Sequence, residues 1–348
     1  MITINYGEDW VKTTYDTLAA SDIKSYLKPG ISVSIKPNLV NTTAPERGAT
    51  THPEVVEGII KFLMDYGTKN IKIMESSAVG YNTKRAYKVC GYENLEKKYG
   101  VSLVDLKNAP TKTLSHNGLD IKIAKEALES EFLINVPVLK AHCQTRLTCC
   151  MKNLKGCIPE SEMKRFHTLG LHKPIAALSA LLPVHYCVVD GICGDLSFEE
   201  GGTPVESNRI IAGRDPAAVD TYCAGLIGYK PEDIGYLPSN INLPKIVELN
   251  SDQKPPRQKS SRLSDRYSAG IEEDSACSVC YAALVFAMHR TNGASGAGGA
   301  SGKKLCIGQG FKGKNNSNSI GIGSCTRNFA TYVEGCPPRA VDIIEALR

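Results

Sequence analysis

Four cysteines near the end of the chain are the residues whose type and spacing most directly suggest chemistry. Cys277 and Cys280 form a C-x2-C pair, and Cys325 and Cys336 follow in a Gly- and Pro-rich stretch. The thiolate is the soft ligand that iron-sulfur clusters and structural zinc both select, and four of them saturate either centre. Two details point toward a 4Fe-4S cluster. Gly321, Gly323 and Gly335 let backbone amides approach a sulfur-rich group, and Pro337 and Pro338 follow the last cysteine, as in the Cys-Pro ending of a bacterial cluster signature. Zinc ribbons favour two C-x2-C knuckles, whereas ten residues separate Cys325 from Cys336. Zinc and a purely structural set of buried thiols stay open as alternatives.

A second constellation lies at 136–167, VPVLKAHCQTRLTCCMKNLKGCIPESEMKRFH, which carries Lys140, His142, Arg146, Lys152, Asn153, Lys155, Lys164, Arg165 and His167. Such a density of donors and cations after an apolar run suits a carboxylate or phosphate. His142 and His167 are candidates for moving protons near neutrality. The plain alternative is a solvated basic surface; Gly156 and Pro159 favour a loop of fixed geometry instead. Lys36 and Asn38 flank the rigid Pro37, and His52 precedes a helix start, where it either meets an anion or stands exposed beside an N-capping Thr51. Asp190, backed by Glu199 and Glu200, is the candidate acid, while Asp215 reads as an N-cap with Pro216 at N1. The expected roles are therefore catalysis for Lys140, His142, His167 and Asp190, and substrate binding for Lys36, Asn38, Lys152, Asn153 and Lys155. Cys143, Cys149, Cys150 and Cys157 match no common cluster signature; Cys90, Cys187, Cys193, Cys223 and Cys306 read as core residues.

The elements that must position these groups alternate. Apolar, β-branched runs at 31–40, 70–76, 101–106, 131–139, 185–192 and 208–213 read as strands, and amphipathic patterns at 53–67 and 83–100 read as helices closed by glycine. Alternation predicts an α/β fold, a mostly parallel sheet with helices on both faces, with ligands gathering at the carboxyl ends of strands. The expected organisation is a main domain at 1–250, a polar linker or excursion at 251–270, and a small cysteine-rich cluster-binding region at 271–348. A helix at 277–290 would carry the C-x2-C pair in its first turn. Residues 293–302, GASGAGGASG, read as an engineered flexible linker in place of a native loop.

The 348 residues are 42% hydrophobic and 22% charged, ordinary for a globular chain. A scattered net charge of +5 speaks against nucleic acid but suits a small anionic substrate. Thirteen cysteines behind a start, MITINYGEDW, that is no signal peptide predict a reducing cytoplasm. No run approaches the roughly eighteen apolar residues of a membrane span, so no membrane partner is expected. An oxygen-sensitive cluster would suit an anaerobe.

SIKPNLV, VPVLKAH, MKNLKGCIP, VVDGI and AGRDPAAVD together resemble the domain-of-unknown-function family 362, over about 31–228. CSVCYAAL, CIGQGFKGK, GIGSCT and EGCPPRA look like the cluster-bearing tail of some members. EGCPPRA is also similar to the cluster-binding end of the small subunits of quinone oxidoreductases and hydrogenases. Other members end in ferredoxin-like modules, which implies a domain that needs electrons, and a ferredoxin-like donor, beside its pocket. This chain lacks that repeat, and Cys306 stands where an aliphatic residue is expected, as a spare thiol or an alternative ligand. Three functions follow: an oxidoreductase acting on a small anion, a lyase or isomerase using an incompletely ligated iron as Lewis acid, or an electron or cluster carrier without its own substrate. No early G-x-G-x-x-G marks a dinucleotide site, and a flavin stays open as a further cofactor.

Overall fold

The computed structural model describes residues 1–256, 258–291 and 303–348. The Gly-Ala-Ser run at 293–302 lies outside the described residues, and with it the linker reading. The chain divides into two compact units, one of Met1–His142, Leu147–Lys164 and His172–Ser260, the other of Cys143–Arg146, Arg165–Leu171 and Ser261–Arg348.

Among the described residues the strands are β1 (Ile2–Tyr6), β2 (Val33–Pro37), β3 (Ile71–Glu75), β4 (Ser102–Asp105), β5 (Thr111–His116), β6 (Leu119–Ala124), β7 (Phe132–Val136), β8 (Lys140–His142), β9 (Arg146–Thr148), β10 (Val184–Asp195), β11 (Pro204–Gly213), β12 (Ile246–Leu249), β13 (Ile271–Glu273), β14 (Leu305–Ile307), β15 (Asn316–Ile322) and β16 (Phe329–Val333). The first unit is α/β, with an eight-stranded sheet in the order β12-β1-β11-β10-β7-β2-β3-β4. Only β11 runs against the others, pairing antiparallel with both β10 and β1. The central strands β2 and β7 are buried along their whole length, which is why they read as continuous runs rather than alternations. The helix Pro53–Asp65 buries Val55, Val56, Ile59, Ile60, Phe62 and Leu63, at helical spacing, in one core with Val33, Ile35, Phe132 and Ile134. Each such side chain contributes roughly 1.5–3 kcal/mol of burial.

The expected single helix at 83–100 is two helices, Thr83–Val89 and Tyr92–Tyr99. Gly91 sits between them at φ 79°, a left-handed conformation that ends one helix and starts the next. The periodicity of β12, a short edge strand, and of β1 beside it is weak, and neither was expected.

Polar groups tie the carboxyl ends of the central strands together. Lys36 is fully buried and its ammonium donates to Glu75 Oε2 (2.9 Å), the Pro37 carbonyl (2.8 Å) and Asn153 Oδ1 (3.4 Å). Burial pushes the Glu75 carboxyl up, while Lys36 and the amides of Leu39 and Ser76 pull it back. Asn153 donates to Asn135 Oδ1 at 2.8 Å, and Asn135 to the Cys150 carbonyl at 2.8 Å, so β7 joins the same network. On β10, Asp190 accepts from the His52 amide (2.7 Å), shares a hydrogen bond with His52 Nδ1 (2.8 Å), and accepts from the Ile192 amide (3.0 Å). Burial disfavours charge on His52, yet the carboxylate of Asp190 and its hydrogen bond outweigh that and take the imidazole from 6.5 up to about 10.

The second unit carries a four-stranded, all-parallel sheet in the order β13-β14-β15-β16. Helices Ser278–Arg290 and Ala340–Leu347 accompany it. The tail reading saw the first of these helices but not the sheet, whose strands are only three to seven residues long.

Two measurements test this architecture. A Cβ on Gly156 would stand 1.7 Å from Glu75 Oε1 and 2.5 Å from Lys36 Nζ, so Gly156→Ala is expected to cost on the order of 3 kcal/mol in urea unfolding by prising the buried pair apart; a loss below ~0.5 kcal/mol would show that the pair holds nothing. For His52 the folded value lies above the unfolded one, so its stabilisation is complete below about pH 6.5 and is lost as pH rises through about 10. The stability difference between the protein and His52→Gln should therefore shrink across that window, and a difference that stays constant would exclude the ion pair.

Candidate metal centre and lysine cluster

All four predicted cysteines converge in the second unit. Each parallel strand delivers its carboxyl end to one cavity lined by Cys277, Cys280, Gly308, Gln309, Cys325 and Cys336, among others. Cys277 is the N-cap of the helix Ser278–Arg290, which follows β13, so Cys280 falls in its first turn. Cys325 follows β15 and Cys336 follows β16, each three residues past the strand end. The end of β14 contributes backbone instead of a cysteine. Gly308 there has φ 127°, and a Cβ on it would lie 1.9 Å from the Asp274 carbonyl, so no side chain fits that wall. Gly321, expected to open the backbone toward the sulfurs, instead packs against Thr326 and Tyr332 within the sheet.

The thiols of the cavity differ in their electrostatics: Cys277 is held down, while Cys280 and Cys325 are pushed up. Hydrogen bonding from Cys280, together with the nearby Lys312, takes the Cys277 thiol down to about 7 against its burial. The same partner pushes Cys280 up, helped by burial and by Cys277, Cys336 and Cys325. Burial pushes the Cys325 thiol up, and Lys312 only partly offsets it. Gln309 Nε2 lies 3.8 Å from Cys277 Sγ, and Lys312 donates to Gln309 Oε1 at 3.2 Å. With the helix N-terminus, these groups suit an anionic, sulfur-ligated centre. By donor chemistry, four thiols around one cavity fit either a cluster or zinc. Gln309 and Lys312 were missed because nothing about an isolated Gln or Lys marks it; the signal was glycine directly after the short apolar run LCI, which ends β14.

Cys306 points away from the cavity. Its Sγ lies 3.9 Å from Glu272 Oε2, and it packs with Phe311 and Phe329. His167 belongs to this second unit, where Nδ1 meets Ser278 Oγ at 2.9 Å, and that hydroxyl donates to Gln144 Oε1 at 2.5 Å. Arg146 pairs with Asp265 at 3.0 Å.

In the first unit Lys140, Lys152, Lys155 and His142 form the cationic cluster. The expected loop is instead a set of short turns, with helix Cys150–Asn153 running into a 3-10 turn at Leu154–Cys157. Those turns form because Asn153 and Gly156 are drawn into the Lys36–Glu75 network. Lys140 is buried and donates to the Ala49 carbonyl (2.6 Å) and the Glu199 carbonyl (2.8 Å). Burial, then the charge of Lys152, take its amine down to about 7 against the pull of Glu199, Asp195 and Glu200. Lys155 is also taken down to about 7, by burial and Lys152, with Glu199 opposing. His142 Nε2 stands 3.5 Å from Glu199 Oε1. Asp195 holds the connection that carries Glu199, accepting from the amides of Ser197 (2.7 Å), Phe198 (2.9 Å) and Thr203 (3.0 Å).

The other predicted residues sit inside the protein. Lys36 and Asn153, expected to bind substrate, form the internal network instead, and Lys36 has three acceptors for its three N–H groups. Asn38 is buried and folds its carbonyl oxygen onto the Val40 amide at 3.2 Å. Asp190, the candidate acid, is buried against His52, and the exposed reading of His52 is corrected with it. Asp215 is the N-cap, accepting from Ala217 (2.8 Å) and Ala218 (3.1 Å) ahead of Pro216. All thirteen cysteines are free thiols.

Among the described residues no helix is long and apolar enough to cross a membrane. The chain is similar to the thylakoid-associated protein sll1697 of Synechocystis, at 27% identity over 248 residues, 67% of this chain and 75% of that one. Among solved structures it is similar to the lactate racemase apoprotein of Thermoanaerobacterium thermosaccharolyticum, with 14% identity and a TM-score of 0.43 over 65% of this chain and 57% of that one. A Thermotoga maritima protein from a structural genomics programme gives 13% identity and a TM-score of 0.38, over 53% of this chain and 51% of its own. The chain thus spans just over half the length of these two structures. The profile described as Domain of unknown function (DUF362) matches residues 33–225, which take in β2, the lysine cluster and most of the helix Pro216–Leu226. The chain belongs to the DUF362 family.

Proposed function

We propose that the second unit holds a 4Fe-4S cluster on Cys277, Cys280, Cys325 and Cys336, and that the protein is an oxidoreductase acting on a small anion held by Lys140, Lys152 and Lys155. The observation that carries this reading is the delivery of four thiols and one glycine wall to a single cavity by the ends of parallel strands.

When bound, such a cluster supplies one-electron chemistry. The chain's own residues do the remainder. Burial, with the charge of Lys152 beside it, keeps Lys140 and Lys155 near the boundary between neutral and charged, so an arriving carboxylate or phosphate would be met by amines that gain their protons as it binds. His142 and Glu199 form a pair able to hold a proton beside that anion. His167, bonded to Ser278, is the corresponding proton-holding group of the second unit. The abundance of free thiols fits a reducing, cytoplasmic setting.

Anaerobic purification followed by iron and sulfide analysis, with EPR of the reduced protein, tests the cluster. About four irons per chain are expected, falling to near zero in Cys325→Ser, and zinc in place of iron would overturn the assignment. The anion site is tested by titration with sulfate, whose charge does not change near neutrality. Because Lys140 and Lys155 lose charge above about 7, affinity should fall roughly tenfold or more from about pH 6 to pH 8. In Lys152→Gln the midpoint of that loss should move upward; an affinity flat in pH would remove the two amines from binding.

A further inference from the structure

A different group of thiols lies inside the first unit. Cys149 and Cys150 stand at the start of the helix Cys150–Asn153, with their sulfurs 3.9 Å apart. Asp220 reaches them from the helix Pro216–Leu226, and the ligand atoms of Cys149, Cys150 and Asp220 all lie within 4.8 Å of one another. Cys223 stands three residues along the same helix and so on the same face, just outside that group of three. All four residues are completely buried.

From this geometry we infer a closed structural site for one zinc ion, ligated by Cys149, Cys150 and Asp220, with the Cys223 thiol turning in from the same helix face as the fourth ligand. Tetrahedral zinc with Zn–S bonds of about 2.3 Å sets sulfur neighbours about 3.8 Å apart, close to the observed separation. Three soft thiolates and one carboxylate oxygen complete a four-ligand shell, as structural zinc sites require. The carboxylate is already oriented: Oδ1 accepts from the Cys150 amide at 2.6 Å and Oδ2 from the Met151 amide at 3.0 Å. Those bonds hold a ligating oxygen in place and leave lone pairs for the metal. A buried carboxylate among thiols is costly unless paired, and a divalent cation supplies that pairing for the whole group at once. Arg209 on β11 acts on Cys223 as the nearest cationic influence from the sheet. Asp220 and Cys223 lie around the end of the family match and Cys149 and Cys150 near its middle, so the ion would join two separate parts of the fold.

The test uses the full chain with the other metal centre disabled, as Cys277→Ser/Cys280→Ser/Cys325→Ser, produced with zinc supplementation. Elemental analysis should find about one zinc per chain, and X-ray absorption should show three sulfurs at about 2.3 Å and one oxygen at about 2.0 Å. Adding Cys223→Ala should lower the zinc-bound sulfur count by one or abolish binding. If that variant fails to fold, cobalt substitution of the triple variant still decides the matter, since thiolate-to-cobalt charge transfer appears only if sulfur ligates the ion. No zinc in the triple variant, or zinc without sulfur neighbours, would overturn the site.

Discussion

The buried pair of Lys36 and Glu75 is the interaction on which the first unit depends. Two charges removed from water are tolerated only where geometry and further hydrogen bonds compensate, and here the Pro37 carbonyl, the Leu39 and Ser76 amides and Asn153 supply them. The pair joins β2 to β3, and through Asn153 and Asn135 it reaches β7. It also leaves no room for a side chain at position 156. The turn from Cys150 to Cys157 is thereby pressed onto the strand ends, and that turn carries Lys152 and Lys155. The amines of the lysine cluster are therefore placed by a network in which they take no part.

The second unit follows the same geometric rule on a smaller scale. Parallel strands leave all their carboxyl ends at one edge, so groups far apart in sequence arrive together there. Cys277 and Cys280 come from one helix start, while Cys325 and Cys336 come from two later strands. Lys312 and Gln309, from the turn after β14, supply charge and a hydrogen-bond donor beside the sulfurs. A sheet of short strands suffices because its task is to bring loop ends together rather than to bury a large core.

The two sulfur-rich groups are assembled differently. Cys149, Cys150 and Asp220 gather within 4.8 Å inside the first unit, whereas the C-terminal cysteines line a cavity at the ends of the second unit's strands. In sequence Cys149 and Cys150 match no common cluster signature, because Asp220 and Cys223 lie some seventy residues further along the chain.

Much of this protein was legible in its residues. The α/β alternation, the N-cap at Asp215, the C-x2-C pair in a helical first turn and the family motifs all depend on local pattern, and local pattern is what side-chain periodicity and capping chemistry encode. What sequence could not separate was an internal partner from a site candidate: Lys36 carries the same amine as Lys140, Lys152 and Lys155, and Asp190 the same carboxylate as any exposed acid. Only the tertiary structure made Lys36 a saturated internal donor and Asp190 the partner of His52. The reason is desolvation. An amine or a carboxylate takes its role from which partners share its low-dielectric surroundings, and those partners are assembled by strand pairing across long stretches of chain rather than by neighbours in sequence.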